Sequence, residues 1–345
     1  MTPVELSRTV LHAVRRAVDE GELSVAPPER VVVGPPGPGG CGDYATNVAL
    51  QLAGPAGKPA HRVAEVLRER LLGAGGISDV VVTGPGFINI SLGGAAPVEV
   101  VREVLRCGGR YGHGDSLGRE GVVRLVAARE VRAVVQLDAV ARILRSQGAL
   151  VYAACAGPLP AEWGSVLGVR VDGLSGETSE VGIRPVPSPS DPVPLGRDAG
   201  RWALLHPAPH DRPRIGDEHL VQRESNPLFR VRYAHARTRA VVRNAADLGF
   251  GAELGVVAEQ SALCQALADH PRVLLGAATH RAPDRLARHL VSVADAVLPL
   301  LPAVLPLGEE KPSAAHRARL ALAEAAGTVL AGGLSLLGID APDHL

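Results

Sequence analysis

The 345-residue chain sets 36 Lys and Arg against 36 Asp and Glu, a formal net charge of zero, and is 46% hydrophobic. That length carries two or three domains with cores of their own, and the charge balance excludes a protein that coats polyanions over its whole surface, so any nucleic-acid site must be local. Cys41, Cys107, Cys155 and Cys264 stand far apart without a CxxC pair, which excludes a zinc or disulfide framework by spacing and fits a reducing cytosol.

Along the chain, Val4, Leu11, Val14 and Val18 recur at helical spacing and predict an amphipathic first helix. The N-terminus mixes charge into its apolar positions, unlike a signal peptide, and no apolar run reaches membrane-spanning length without interruption; a soluble cytoplasmic protein is expected. Val31–Val33 predicts a short buried strand, followed by a Pro/Gly-rich loop over 34–42. Pro59 suits the first turn of a helix with Val63, Val66, Leu67 and Leu71 inward. Residues 77–83 and 87–92 predict a hairpin turning at Gly84-Pro85-Gly86.

Residues 122–128 predict a strand, and the stretch bearing Val134, Leu137, Val140, Ala141 and Leu144 a helix. A second strand follows in "ALVYAA", completing one βαβ unit. Residues 156–197 dissolve into Pro, Gly and Ser and are expected as loop. From about 198 helical periodicity dominates, ending in a long helix faced by Leu320, Ala323, Val329, Leu330 and Leu334. The chemistry-bearing signals are few. His206 and His210 are separated by prolines that forbid the helix a metal pair would use. The loop 34–42 lacks the GK[ST] ending of a P-loop, and neither GxSxG nor HExxH occurs.

One stretch stands out, "ESNPLFRVRYAHARTRAVVRNA" at 224–245. At about 100° per residue, Arg232, Arg239 and Arg243 fall within roughly 40° of one another with His235 beside them. A row of guanidiniums on one face can track phosphate oxygens; a solvated charged face in an arginine-rich chain gives the same pattern. Phe229, Tyr233, Ala236, Ala240 and Val241 take the other side. Arg237 lies among them, where it is expected as an internal ion-pair residue.

"GDYATNVALQLAGPAGKP" (42–59) followed by "GPGFINISL" (84–92) resembles the N-terminal additional domain of arginyl-tRNA synthetases. "ESNPLFRVRYAHAR" (224–237) resembles the opening of that family's helical anticodon-binding domain. "DAGRWALL" (198–205) is similar to the Asp-Ala-Leu-Arg stretch that names the domain, with Gly200 for leucine. "LADHPRVL", "RAPDRLARHL" and "AGGLSLLGIDAP" continue the likeness in order. The resemblance implies an α/β N-terminal domain over 1–95, a reduced Rossmann-like remnant with a Pro-rich linker over 96–197, and an all-α helix bundle of the DALR type over 198–345. It implies tRNA as partner, with Tyr44 and Asn47 in the contact surface, Phe87 stacking on an unpaired base and Asn89 reading its edge; a core role for Phe87 is the alternative. Arg232, His235, Arg239 and Arg243 join the set from the helical domain, and Leu345 falls near the apolar residue that the family packs against the anticodon.

The departures are as telling. After the 122–128 strand the family carries a loop with the HIGH-type signature, and here the chain runs straight into the helix. No lysine lies between Lys58 and Lys311, so a KMSK-type loop before 198 is missing. Activation of an amino acid by ATP needs positive groups on the developing pyrophosphate charge, so neither catalytic residues nor a bound cofactor, ATP included, is expected. Pro299 and Pro302 interrupt the stretch where the family has an aromatic-rich helix. The expected protein is a non-catalytic paralogue that binds tRNA. The alternatives are an arginine–tRNA ligase and a protein-interaction module whose partner is a synthetase or a regulatory protein.

Overall fold

A computed structural model describes residues 3–34, 36–37, 40–93, 96–118, 121–175, 181–257 and 261–345. The chain forms two compact units, Met1–Val100 and Val101–Leu345.

The first unit contains α1 (Pro3–Asp19), β1 (Tyr44–Thr46), α2 (Val48–Ala56), α3 (Ala60–Leu72), β2 (Ile77–Thr83) and β3 (Phe87–Leu92). The strands form an antiparallel sheet in the order β1-β3-β2. Val63, Leu67 and Leu71 of α3 are buried as their spacing predicts, with Val66 at the margin. The inward stripe of α1 is Leu6, Val10, Ala13, Val14 and Ala17, so Leu11 and Val18 lie at its edge rather than its centre. The strand expected at 31–33 does not form. Val31 and Val33 turn inward and Val32 outward, but pairing is limited to one bridge, Gly34 to Ala45. The Pro35-Pro36 pair that follows lacks the N–H donors a ladder requires. The Gly-rich loop 34–42 lies partly outside the described residues. The hairpin turns through Gly84 and Gly86 with φ of +53° and +137°, and a Cβ at Gly86 would meet the Ala60 backbone at 3.0 Å. Both constraints call for glycine.

The boundary between units falls within α4 (Ala96–Cys107). The second unit then holds β4 (Val122–Ala127), α5 (Val131–Ser146), β5 (Leu150–Cys155), α6 (Ala161–Ser165), β6 (Gly173–Leu174) and β7 (Val181–Ile183). All four strands are parallel, in the order β6-β5-β4-β7. The expected βαβ unit is therefore the centre of a larger sheet, and residues 156–197 are not all loop. Strands of two and three residues containing glycine are too short for any period to show. The rest is helical: α7 (Gly196–Leu205), α8 (Pro227–Asp247), α9 (Ser261–Thr279), α10 (Pro283–Val297) and α11 (Ala314–Leu337).

Helix α5 is buried nearly all round, packed between β4 and β5 on one side and α7, α9, α10 and α11 on the other. The segments 96–197 and 198–345 differ in composition, yet from Val101 onward they share one compact unit because α5 is core to both. Helix α11 is long and apolar enough to cross a membrane, but 67% of its apolar window is buried inside the protein. Leu320, Ala323, Val329, Leu330 and Leu334 all point inward, as their spacing predicts.

Candidate nucleic-acid interface and the crevice of the parallel sheet

In the sheet, β4 has β5 on one side, reached through α5, and β7 on the other. The carboxyl ends of β4 and β7 flank the switch point at which open α/β sheets bind ligands, and the amino end of α5 points its free N–H groups there. Here the chain fills that position itself. Glu130, the N-cap of α5, accepts from Arg132 N at 3.1 Å and Ala133 N at 2.8 Å, and its Oε1 also accepts from Ser188 N at 2.9 Å. An internal carboxylate thus stands where an anionic ligand would meet the helix dipole.

Arg132 completes the closure. It is fully buried. Its Nε donates to Leu204 O at 3.2 Å, Nη1 to Val186 O and Asp211 O at 2.7 Å each, and Nη2 to Pro207 O at 3.3 Å and Ala208 O at 2.8 Å. Every N–H of the guanidinium is used. Burial pushes its pKa down, offset by Glu130, Asp211 and Asp284. The segments 186–188 and 204–211 are drawn over the end of the sheet by these bonds.

In α8, Pro227 occupies the first turn and Asn226 caps it, accepting from Leu228 N at 3.0 Å while donating to His219 O and Val221 O. Arg232, Arg239 and Arg243 do share one side, and each already has a partner. Arg232 Nη2 lies 3.1 Å from Asp198 Oδ2, and its Nε is buried with no hydrogen-bond partner among the described residues. Arg239 Nε donates to Asp343 Oδ1 at 3.0 Å. Arg243 Nη2 donates to Asp343 O at 3.2 Å and lies 3.3 Å from the His344 ring. The side chains of Arg239 and Asp343 are half-exposed, 44% and 54%, and the bond to Arg239 holds the Asp343 carboxyl below its ordinary pKa.

Two residues of this helix differ from expectation. His235 is buried, not displayed with the arginines; its Nδ1 donates to Pro342 O at 3.0 Å, and burial lowers its pKa although the carbonyl opposes this, so the ring is neutral near pH 7. Arg237 is exposed rather than internal. It stacks over the Tyr233 ring at 5.7 Å, and Tyr233 stacks in turn on Phe229 at 5.4 Å. The aromatic rings give the cation a partner at the surface and remove the need for a buried counter-ion.

Asp198 opens the Asp-Ala-Gly-Arg stretch and joins two elements: Oδ2 meets Arg232, and Oδ1 accepts from Asp340 N at 3.0 Å. Arg201 is fully buried and donates to Leu337 O at 2.7 Å, Leu167 O at 3.0 Å and Asp138 Oδ2 at 2.6 Å. A Cβ at Gly200 would sit 2.9 Å from Pro192 O and 3.0 Å from Leu167 Cδ2, which accounts for glycine in this place. Leu345 is half-exposed beside Phe229, Arg232 and Leu220 in a cleft of about 260 Å³.

In the first unit, Phe87 is 42% exposed at the hairpin end, so it is not core. Asn89 is buried, and its Nδ2 is used by Thr83 Oγ1 at 2.7 Å and Val81 O at 3.2 Å. It fastens the strands behind Phe87 and does not face solvent. Tyr44 is a core residue, only 1% exposed. Asn47 is exposed before α2, and its Oδ1 accepts from Gln51 Nε2 at 3.1 Å.

Comparison with known proteins adds a family to this geometry. Residues 5–92 match the arginyl-tRNA synthetase N-terminal domain, and 231–345 match the DALR anticodon-binding domain. This is an arginyl-tRNA synthetase-like protein. The arginine–tRNA ligase of Frankia alni is 27% identical across 555 aligned positions that take in all of both chains. At least 210 of those positions, 555 less 345, face no residue of this protein. The Paenarthrobacter aurescens ligase is 41% identical over 160 positions, 44% of this chain and 29% of the relative. Among solved structures, the arginyl-tRNA synthetase of Thermus thermophilus superposes over all of both chains with a TM-score of 0.72 at 17% identity, and that of Plasmodium falciparum over 99% of each with 0.69 at 9%. The synthetase-like fold accordingly combines α/β parts with a helical DALR domain.

Proposed function

We propose that this arginyl-tRNA synthetase-like protein binds tRNA and has no ligase chemistry, with residues 96–197 as a reduced remnant of a catalytic domain. The observation that carries the reading is the crevice at β4 and β7, where the Glu130 carboxylate takes the free N–H groups of α5 and Arg132 ties the 186 and 211 segments in place through their carbonyls. The absence of a HIGH-type loop between β4 and α5, and of any lysine between Lys58 and Lys311, supports it, as does the difference in aligned length from the Frankia alni relative. ATP is not bound in this reading. tRNA meets the exposed ring of Phe87, which Asn89 positions from behind, together with the arginine face of α8.

The pairing of Arg239 with Asp343 favours a second reading, a module that takes an acidic segment of a synthetase or regulatory protein on the same face. Arginine-dependent ATP–pyrophosphate exchange in the presence of tRNA tests the first: no exchange above a heat-inactivated control is expected, and turnover would restore the ligase. Binding of tRNA that weakens steeply with salt, through displaced counterions, separates tRNA from the protein partner.

A further inference from the structure

The last residues, Asp340–Leu345, lie on the arginine face of α8. Gly338 ends α11 in a left-handed conformation, φ +73°, and Ile339 is buried at 2% exposure. Beyond Ile339 no side chain is buried. What holds this segment is polar: Asp340 N to Asp198, Pro342 O to His235, Asp343 to Arg239, and Asp343 O and His344 to Arg243. It can therefore lift from α8 about Ile339 without exposing apolar core, the His235 ring being the one buried group that loses its cover and its Pro342 partner.

We propose that Asp340–His344 is an intramolecular competitor for tRNA, holding Arg239 and Arg243 until a phosphate backbone displaces it. This rests on the tRNA-binding reading above and names the regulation of that site. A carboxylate and a phosphate oxygen ask the same of a guanidinium, a charge-assisted hydrogen bond near 3 Å, so the two ligands exclude each other at Arg239. Exposed ion pairs are weak and exchange readily, and a polyanion that also meets Arg232 and releases counterions can outcompete a single acidic segment. Binding of tRNA and order in 340–344 are thus opposed.

The test uses the full chain, unfractionated tRNA and one fixed salt concentration. Asp343→Ala removes the competing carboxylate; Asp247→Ala removes an equal charge from the exposed end of α8, one turn beyond Arg243 and outside the segment. Asp343→Ala is expected to tighten tRNA binding about fivefold more than Asp247→Ala, the scale of one exposed ion pair. In the wild type, the amide of Asp340, bonded to Asp198 while the segment is docked, is expected to exchange hydrogen faster once tRNA is bound. If wild type binds but the two variants tighten it equally, or that amide becomes more protected, the competitor is refuted and tRNA binding stands. If wild type fails to bind and Asp343→Ala binds, the competitor is supported in its strongest form. If no variant binds, both it and the tRNA reading fall.

Discussion

The crevice of the parallel sheet and the face of α8 both hold arginines that already have partners inside the chain, and they hold them in opposite ways. Arg132 is fully buried and spends five N–H groups on five carbonyls. Arg239 is half-exposed and meets one carboxylate from a segment without buried side chains. No ligand can claim the first without taking a core apart, because each abandoned carbonyl and the guanidinium itself would need new partners out of water. The second can change partner in solvent. Position in the fold, not residue type, separates a structural arginine from one available for binding.

The largest effect that sharpens this contrast comes from Arg132. Arg132→Ala orphans buried carbonyls and is expected to cost about 3–5 kcal/mol of stability by urea denaturation. Arg132→Lys should recover little, since an ammonium offers three donors where five acceptors wait. A loss under about 1 kcal/mol would mean that the crevice is not held shut in this way.

A second buried site makes the same point through pH. His270 lies between Tyr111 and His289, with ring centroids 5.8 and 5.3 Å away, and His270 Nδ1 and His289 Nε2 have no hydrogen-bond partner among the described residues. Burial pushes His289 down to about 4, with Asp269 raising and Arg272 lowering it. Burial, with His289 and His113 nearby, pushes His270 well below its ordinary value. Both folded values lie below an unfolded pKa near 6.5, so the unfolded chain takes up protons first. Stability is present above about pH 6.5 and falls as pH drops toward 4, by roughly 3 kcal/mol from His289 alone. His289→Leu should flatten the decline between pH 6.5 and 4 in chemical denaturation; an unchanged slope would exclude that ring as its source.

Binding effects come next. Phe87→Ala is expected to weaken tRNA binding by about 1–3 kcal/mol, the scale of one base stack, with a melting temperature near wild type because the ring is already half in water. Unchanged affinity would leave α8 as the only face to test. The arginines of α8 come last. Replacing Arg232, Arg239 and Arg243 together by glutamine should alter stability by at most about 1–2 kcal/mol, since these are partly exposed pairs. The slope of log affinity against log salt should nevertheless become shallower by roughly 2–3 units. An unaltered slope would show a solvated face with no part in binding.

Much of the fold was legible where a period has room to develop. The spacing in α3, α5, α8 and α11 and the alternation of the hairpin locate those elements. It could not find β6 and β7, whose two and three residues pair only because β4 and β5 are already in place. On α8 the wheel groups the three arginines correctly but cannot say that Pro342, more than a hundred residues away, covers His235. The same limit hides the role of Arg132, whose acceptors are main-chain carbonyls and carry no side-chain signature. Glu130 was only partly within reach: an acid beside a helix start suits the dipole, but glutamate is not among the favoured caps. Asp343 was visible only as one acid near the end of the chain.

The distances in sequence spanned by Arg132 also bear on how the protein folds. Its acceptors lie 54 to 79 residues farther along the chain, so no local helix or hairpin can bring them to it. The loops they close carry an entropy cost that must be met by other contacts first. The five bonds are therefore expected to assemble after the rate-limiting step, on a sheet and an α7 already docked. Substitutions at Arg132 should then accelerate unfolding while leaving the refolding rate nearly unchanged, so that this arginine governs how long the native state lasts rather than how quickly it is reached.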